Sequence, residues 1–161
     1  MISEKAVLGQ NVQIHPLALI EEGARIGDNT KIGPFCIVRS NAVIGKDCSL
    51  TAYCEIREGV RVGDRSTFGS RCTISAGATI GSDVKIKYAF VLTDTPKLEE
   101  DNAKSVGDIG DGVLIGANVT LMPGCRIGNN AVIGACSQVR SDVGEGEVWY
   151  GNPAKLFKQR A

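Results

Sequence analysis

The chain has 161 residues, enough for one domain and short for two. Eighteen Lys and Arg balance eighteen Asp and Glu, so no excess of charge marks it for nucleic acid or an anionic membrane. The apolar share of 43% can build a core, but aromatics at 5% against 20 glycines favour many tight turns over large packed rings.

The first ten residues, MISEKAVLGQ, contain no long apolar run, so neither a signal peptide nor a membrane span is expected and a cytoplasmic location follows. From Leu8 the chain becomes periodic. Stepping by six gives Leu8, Ile14, Ile20, Ile26, Ile32, Val38, Ile44, Leu50, Ile56, Val62, Phe68, Ile74, Ile80, Ile86 and Leu92 without a miss. Two residues before each stands a smaller side chain, as in Ala18, Ala24, Thr30, Cys36 and Ala42. Residues two apart on a strand share a face, so each hexad predicts a short strand with one large and one small inward residue, then a turn. Glycines recur every eighteen residues, at Gly9, Gly27, Gly45, Gly63 and Gly81, with a second row at Gly23, Asn41, Gly59 and Gly77. Such residues suit tight or left-handed turns. Three strands per turn predict a triangular coil of stacked parallel strands.

The period fails after Leu92. Residues 93 to 108 are acidic, contain Pro96 and lack hydrophobic spacing; Glu99, Glu100 and Asp101 read as a solvated acidic turn. An excursion of this length in a compact domain usually has a use. The register resumes at Ile109, Ile115, Leu121, Ile127, Ile133 and Val139, which makes 21 hexads, about seven coils, and a prism roughly 34 Å tall at about 4.8 Å per coil. The predicted organisation is an all-β coil over 1–144 with a loop extruded at 93–108, and a tail over 145–161. In that tail, Asn152 and Pro153 suit the N-cap and first turn of a short helix, and Trp149 and Tyr150 suit a cover for the prism's open end.

Six cysteines fall into this scheme. Cys36, Cys54 and Cys72 are eighteen apart and should stack; Cys48 and Cys125 occupy the same small slot, and Cys136 does not. They form no CxxC pair, and one histidine cannot complete a zinc cluster, so no metal is expected and the thiols read as soft core filler.

The repeat, an apolar residue, Gly, two positions, a small residue and one more, resembles the hexapeptide-repeat acyltransferases over about residues 8 to 155. The resemblance implies a left-handed parallel β-helix, a hand opposite to that of ordinary strand crossovers. IGANVTLMPGCRIGNNAVIGACSQV at 115 to 139, followed by YGNPAK at 150 to 155, looks like the end of the acetyl-CoA-dependent members. IHPLALIEEGARIG and IGPFCIV look like the acyltransferase that begins lipid A synthesis, although this chain lacks that enzyme's catalytic histidine and C-terminal helical domain. The family implies a homotrimer, an acceptor site between subunits beside the extruded loop, and a nucleotide-linked amino sugar as acceptor. It further implies acetyl-CoA held by Gly116, Ala117, Gly134, Ala135, Asn152, Pro153 and Lys155, with Lys158 and Arg160 as weaker phosphate contacts.

Family members that acetylate hydroxyls carry a loop histidine before proline, where this chain has Thr95 and Pro96. Its one histidine, His15, sits in the first coil before Pro16. An amine needs less help than an alcohol, because losing one proton suffices to make it a nucleophile. Asp94 is therefore the candidate base, with Thr93 and Thr95 as substrate-binding hydroxyls. Two other readings stand beside this one: transfer of a longer acyl chain from acyl carrier protein, and a β-helix scaffold without catalysis.

Overall fold

The computed structural model describes residues 1–100 and 104–161. Two-residue strands, one per hexad, alternate among three parallel faces. Face one runs from Val7–Leu8 to Asp108–Ile109, face two from Gln13–Ile14 upward, and face three from Leu19–Ile20 to Gln138–Val139. Every pairing within the repeat joins residues one coil apart, such as Arg25 with Val43 and Thr67 with Lys85. Across the loop the step widens: Thr79 pairs with Asp108 and Val91 with Thr120. The loop thus leaves at the corner between faces three and one, and the left-handed β-helix continues above it in register.

The predicted large and small inward residues form one continuous core. The column Ala18, Cys36, Cys54, Cys72 continues into Phe90, fully buried in a slot that elsewhere takes small residues. Several polar members of the slots are satisfied in one recurring way, donating to a carbonyl of the next coil's turn. Thr30 Oγ1 reaches Gly45 O at 2.8 Å, Ser66 Oγ reaches Gly81 O at 2.9 Å, and Cys54 Sγ reaches Gly69 O at 3.1 Å. The slot therefore asks for a small side chain and rewards one with a proton to give, which explains cysteine, serine and threonine among the alanines. Hydrogen bonding to Cys54 and burial push the Cys36 and Cys72 thiols up. Contact with the Cys36 and Cys72 thiols makes Cys54 the lowest of the three. Burial likewise raises Cys48 and Cys125, while Cys136 is exposed. Titration of the folded protein with an aromatic disulfide should accordingly modify Cys136 fast and the other five only on unfolding; rapid release of a second equivalent would show the column to be open.

Two sequence expectations need correction. The C-terminal tail contains no helix: Glu147–Gly151 adds in parallel to Val132–Ile133, and Ala154–Gln159 folds back antiparallel on it. Instead of capping a helix, Asn152 and Pro153 form the hairpin turn, joined by a cis peptide bond. The open edge of face two explains this, since its unpaired backbone groups are satisfied by another strand and not by a helix. Trp149 takes the inward position above Ile133 and packs on the core, whereas Tyr150 is exposed against the edge of Phe157. Counting this added level, the solenoid has about eight turns instead of seven. No helix among the described residues is long and apolar enough to cross a membrane.

The second correction concerns glycine. The row Gly9, Gly27, Gly45, Gly63 and Gly81 is not left-handed; the positive φ falls two residues later, at Asn11, Asn29, Asp47, Arg65 and Asp83. These glycines are needed because a Cβ would strike the next coil; one on Gly27 would lie 2.6 Å from the Gly45 carbonyl carbon. Only the row Gly23, Asn41, Gly59, Gly77 is left-handed.

Candidate active site

The loop corner gathers the predicted catalytic and acceptor residues. Thr93, Asp94, Thr95, Leu98, Met122 and Pro123 line a hollow of about 330 Å³. The loop closes on itself there, with Ser105 N donating to Asp94 O at 2.7 Å. Asp94 is largely shielded, its side chain 17% exposed. Its Oδ1 accepts from Thr95 Oγ1 at 2.9 Å and faces the Lys104 ammonium at 3.5 Å, which in turn donates to Thr95 Oγ1 at 2.9 Å. Oδ1 is held in this way, and among the described residues Oδ2 has no partner. Thr93 lies beside them, but its hydroxyl is spent on Leu121 O at 2.8 Å. Thr95 lines the hollow as well, with its hydroxyl proton given to Asp94 Oδ1. Lys104 was not foreseen: ten residues from Asp94 in an irregular segment, it carries no spacing signal. Of the acidic turn, Glu99 and Glu100 are exposed, with Glu100 paired to Lys97, and Asp101 lies outside the described residues.

The predicted donor-binding residues gather at a different corner, between faces two and three. Gly116 and Ala117 occupy one coil, Gly134 and Ala135 the next, and the Asn152–Pro153 turn sits above, with Lys155 opposite Tyr150. Not all can donate. The amides of Gly116 and Gly134 are committed to Ile133 O at 2.9 Å and Trp149 O at 2.8 Å. Those of Ala117 and Ala135 have no acceptor among the described residues. The contrast with the corner between faces one and two gives the reason. There the equivalent amides are capped by the next coil's side chain, as Gln10 N is by Asp28 Oδ1 and Lys46 N by Asp64 Oδ1, both at 2.8 Å. At the donor corner the equivalent positions are Ala52, Ser70, Tyr88, Ala117 and Ala135, none of which caps the coil below, and Pro16 and Pro34 have no N–H to cap. Gly116 and Gly134 have packing reasons of their own, since a Cβ would meet Ala135 N at 2.5 Å and Tyr150 Cβ at 2.8 Å.

Around this corner on face two, Lys85, Lys87, Leu114, Gly116, Val132 and Ile133 line an apolar groove of about 310 Å³ edged by two ammonium groups. Exposed Lys155 adds a third cation one coil up, and Lys158 stands over the Phe157 ring. Arg160 points to the other side of face two, donating to Asn130 O at 3.2 Å. His15 lies several coils below the donor residues on the same corner, where its Nδ1 accepts from Leu17 N at 3.2 Å within the turn from face two to face three. No cluster of metal-ligating side chains exists among the described residues.

One chain does not bring the two corners together. Face three separates Asp94, beside Pro123, from Ala117 by six residues, up to about 20 Å of extended chain.

Two family models match the sequence: the bacterial transferase hexapeptide (six repeats) over residues 108–141 and the GMPPB C-terminal domain over residues 2–98. A probable macrolide acetyltransferase of Lysinibacillus sphaericus is 44% identical over 66 residues, 41% of this chain and 37% of that protein. The chain spans between about a fifth and somewhat over a third of the length of the curated relatives it matches. Among solved structures, the UDP-N-acetylglucosamine acyltransferase of Campylobacter jejuni superposes with a TM-score of 0.73 at 18% identity, covering 98% of this chain and 72% of that one. A mutant of AntD, an N-acyltransferase from Bacillus cereus, in complex with dTDP and coenzyme A superposes with a TM-score of 0.58 at 25% identity, covering 96% of this chain and 84% of that one. With a hexad register interrupted once, three parallel faces and family matches over residues 2–98 and 108–141, the chain belongs to the hexapeptide-repeat acyltransferase superfamily.

Proposed function

We propose that the protein transfers an acetyl group from acetyl-CoA to the amine of a nucleotide-linked amino sugar, in a site completed between subunits of a homotrimer. The observation that carries this reading is the shielded Asp94 carboxylate, one oxygen held by Thr95 and Lys104 and the other without a partner among the described residues, at the mouth of a small hollow. The donor lies along the opposite corner of a neighbouring copy, its amide-rich arm accepting from and donating to the unspent backbone groups at Ala117 and Ala135. Lys85, Lys87 and Lys155 face its phosphates as point charges. The acceptor binds as an ammonium ion against Asp94, which takes one proton. The free amine then attacks the thioester carbonyl carbon; the C–N bond forms, the carbonyl electrons move to oxygen, and an unspent amide holds that oxyanion. Collapse breaks the C–S bond, and the coenzyme leaves as a thiol with the second nitrogen proton.

The AntD complex supports the reading because it pairs an N-acyltransferase with both dTDP and coenzyme A. Calorimetric titration with acetyl-CoA tests it, with coenzyme A and a long-chain acyl-CoA alongside. Saturation near one acetyl-CoA per subunit is expected, weakened at least tenfold by a bulky Ala135→Trp substitution in the groove. Absence of binding to the intact protein would return the chain to the carrier-protein or scaffold readings.

A further inference from the structure

The donor corner continues downward into a feature the reaction scheme leaves unused. The left-handed turn position of this corner holds Phe35, Tyr53 and Arg71 in successive coils, with φ of 58°, 54° and 63°. At the other two corners the equivalent position is Asn, Asp or Gly, apart from Arg65, which Asp83 clamps through two hydrogen bonds. Left-handed backbone costs a large side chain about 1 kcal/mol or more. Packing inside the fold does not offset that cost, since Phe35 is 46% and Tyr53 59% exposed. The two rings stack at 4.8 Å and 13°, so Phe35 backs one face of Tyr53. On the other side, Ala52, Tyr53, Ser70 and Arg71 line a hollow of about 540 Å³. No ion pair engages Arg71 among the described residues, and the amides of Ala52 and Ser70 are unspent.

We propose that this hollow is the subsite for the nucleoside diphosphate part of the acceptor, with the base stacked on Tyr53 and the diphosphate held by Arg71 and the Ser70 amide and hydroxyl. The proposal rests on the nucleotide-sugar reading above. A π-face suits any base, and a planar guanidinium beside free N–H donors suits phosphate oxygens. The order along the corner fits as well. Reading upward it runs Tyr53, Arg71, Ala89 and then Asn118 in the donor's coil, three steps or about 14 Å at 4.8 Å per coil. That sequence, ring, cation, a small side chain beside exposed Tyr88, then the thioester, matches base, diphosphate, sugar, amine.

The test is calorimetric titration of the full chain with UDP and dTDP, and separately with acetyl-CoA, for the wild type, Tyr53→Asn and Arg71→Asn. Asparagine tolerates the left-handed turn, so both variants should melt about 2–4 °C higher than the wild type. Both should nevertheless bind the nucleoside diphosphates at least tenfold more weakly, with acetyl-CoA affinity unchanged. Equal nucleotide binding by wild type and variants would overturn the subsite while leaving the nucleotide-sugar reading intact. Absence of nucleotide binding to a wild type that binds acetyl-CoA would overturn both. Dissociation of the variants on size exclusion would make the ladder a seam between copies, and would overturn the subsite.

Discussion

Asp94→Asn is expected to lower kcat/KM for acetyl transfer by about 10²- to 10⁴-fold, the usual worth of a positioned general base, while acetyl-CoA binds as before. The substitution keeps the shape of the side chain and an oxygen for Thr95 Oγ1, so the loop closure through Ser105 N and Asp94 O should persist. It removes the one group in the hollow that can both pair with an ammonium ion and accept its proton. The deficit should fall mainly on kcat if the amine arrives neutral, and on KM as well if it arrives charged. It should also narrow as pH rises, because a growing share of the acceptor is then already unprotonated. A merely structural role would give a deficit independent of pH. Activity within threefold of wild type across the range would remove Asp94 from the chemistry. Lys104→Met offers a second reading of the same contact: losing the cation that shares Asp94 Oδ1 and Thr95 Oγ1 should loosen their geometry and cost less than Asp94→Asn itself.

How far the sequence reached differs between fold and site for a physical reason. The coil was legible because each hexad repeats the same local problem, one large and one small inward side chain per strand, and twenty-one solutions in register leave little freedom. The place of Asp94 and Thr95 at the loop corner was legible because the break in that register marks it. The chain ending was misread because residues 152–157 satisfy helix-start rules locally, whereas the open edge of face two, a tertiary fact, decides in favour of a strand. Lys104 was missed since its contact with Asp94 depends on how an irregular loop folds back. The distinction between Gly116 and Ala117 was also out of reach: which amide is spent depends on the side chain one coil away, and at this corner the relevant neighbours are alanine, serine and tyrosine instead of aspartate or asparagine. Even the thiols were only half understood. Small size predicted their slot, but their hydrogen bonds to turn carbonyls appear only when the next coil is in place.

Gly33→Ala should destabilise the protein more than Gly59→Ala, although only Gly59 has a left-handed backbone, with φ of 67°. A Cβ on Gly59 meets nothing within 4 Å, so its cost is backbone strain alone, about 1 kcal/mol. A Cβ on Gly33 would run into the Thr51 carbonyl and come within 2.9 Å of Leu50 O. That backbone has little room to yield: Gly33 N is bonded to Leu50 O at 2.8 Å, and Thr51 N to Phe68 O in the coil above at 3.0 Å. Relief requires opening one coil from the next, and the cost should reach about 3 kcal/mol or more, at or above the upper end of overpacking. For a chain of this size the melting temperature should fall by about 6–12 °C for Gly33→Ala and about 2–4 °C for Gly59→Ala. The comparison is made by circular dichroism at matched protein concentration, since assembly would add to both values. If Gly59→Ala proved the more damaging, turn conformation would govern glycine in this solenoid. The expected order instead assigns Gly33 to the contact between coils, the same contact that stacks the donor corner and fixes which of its amides remain free.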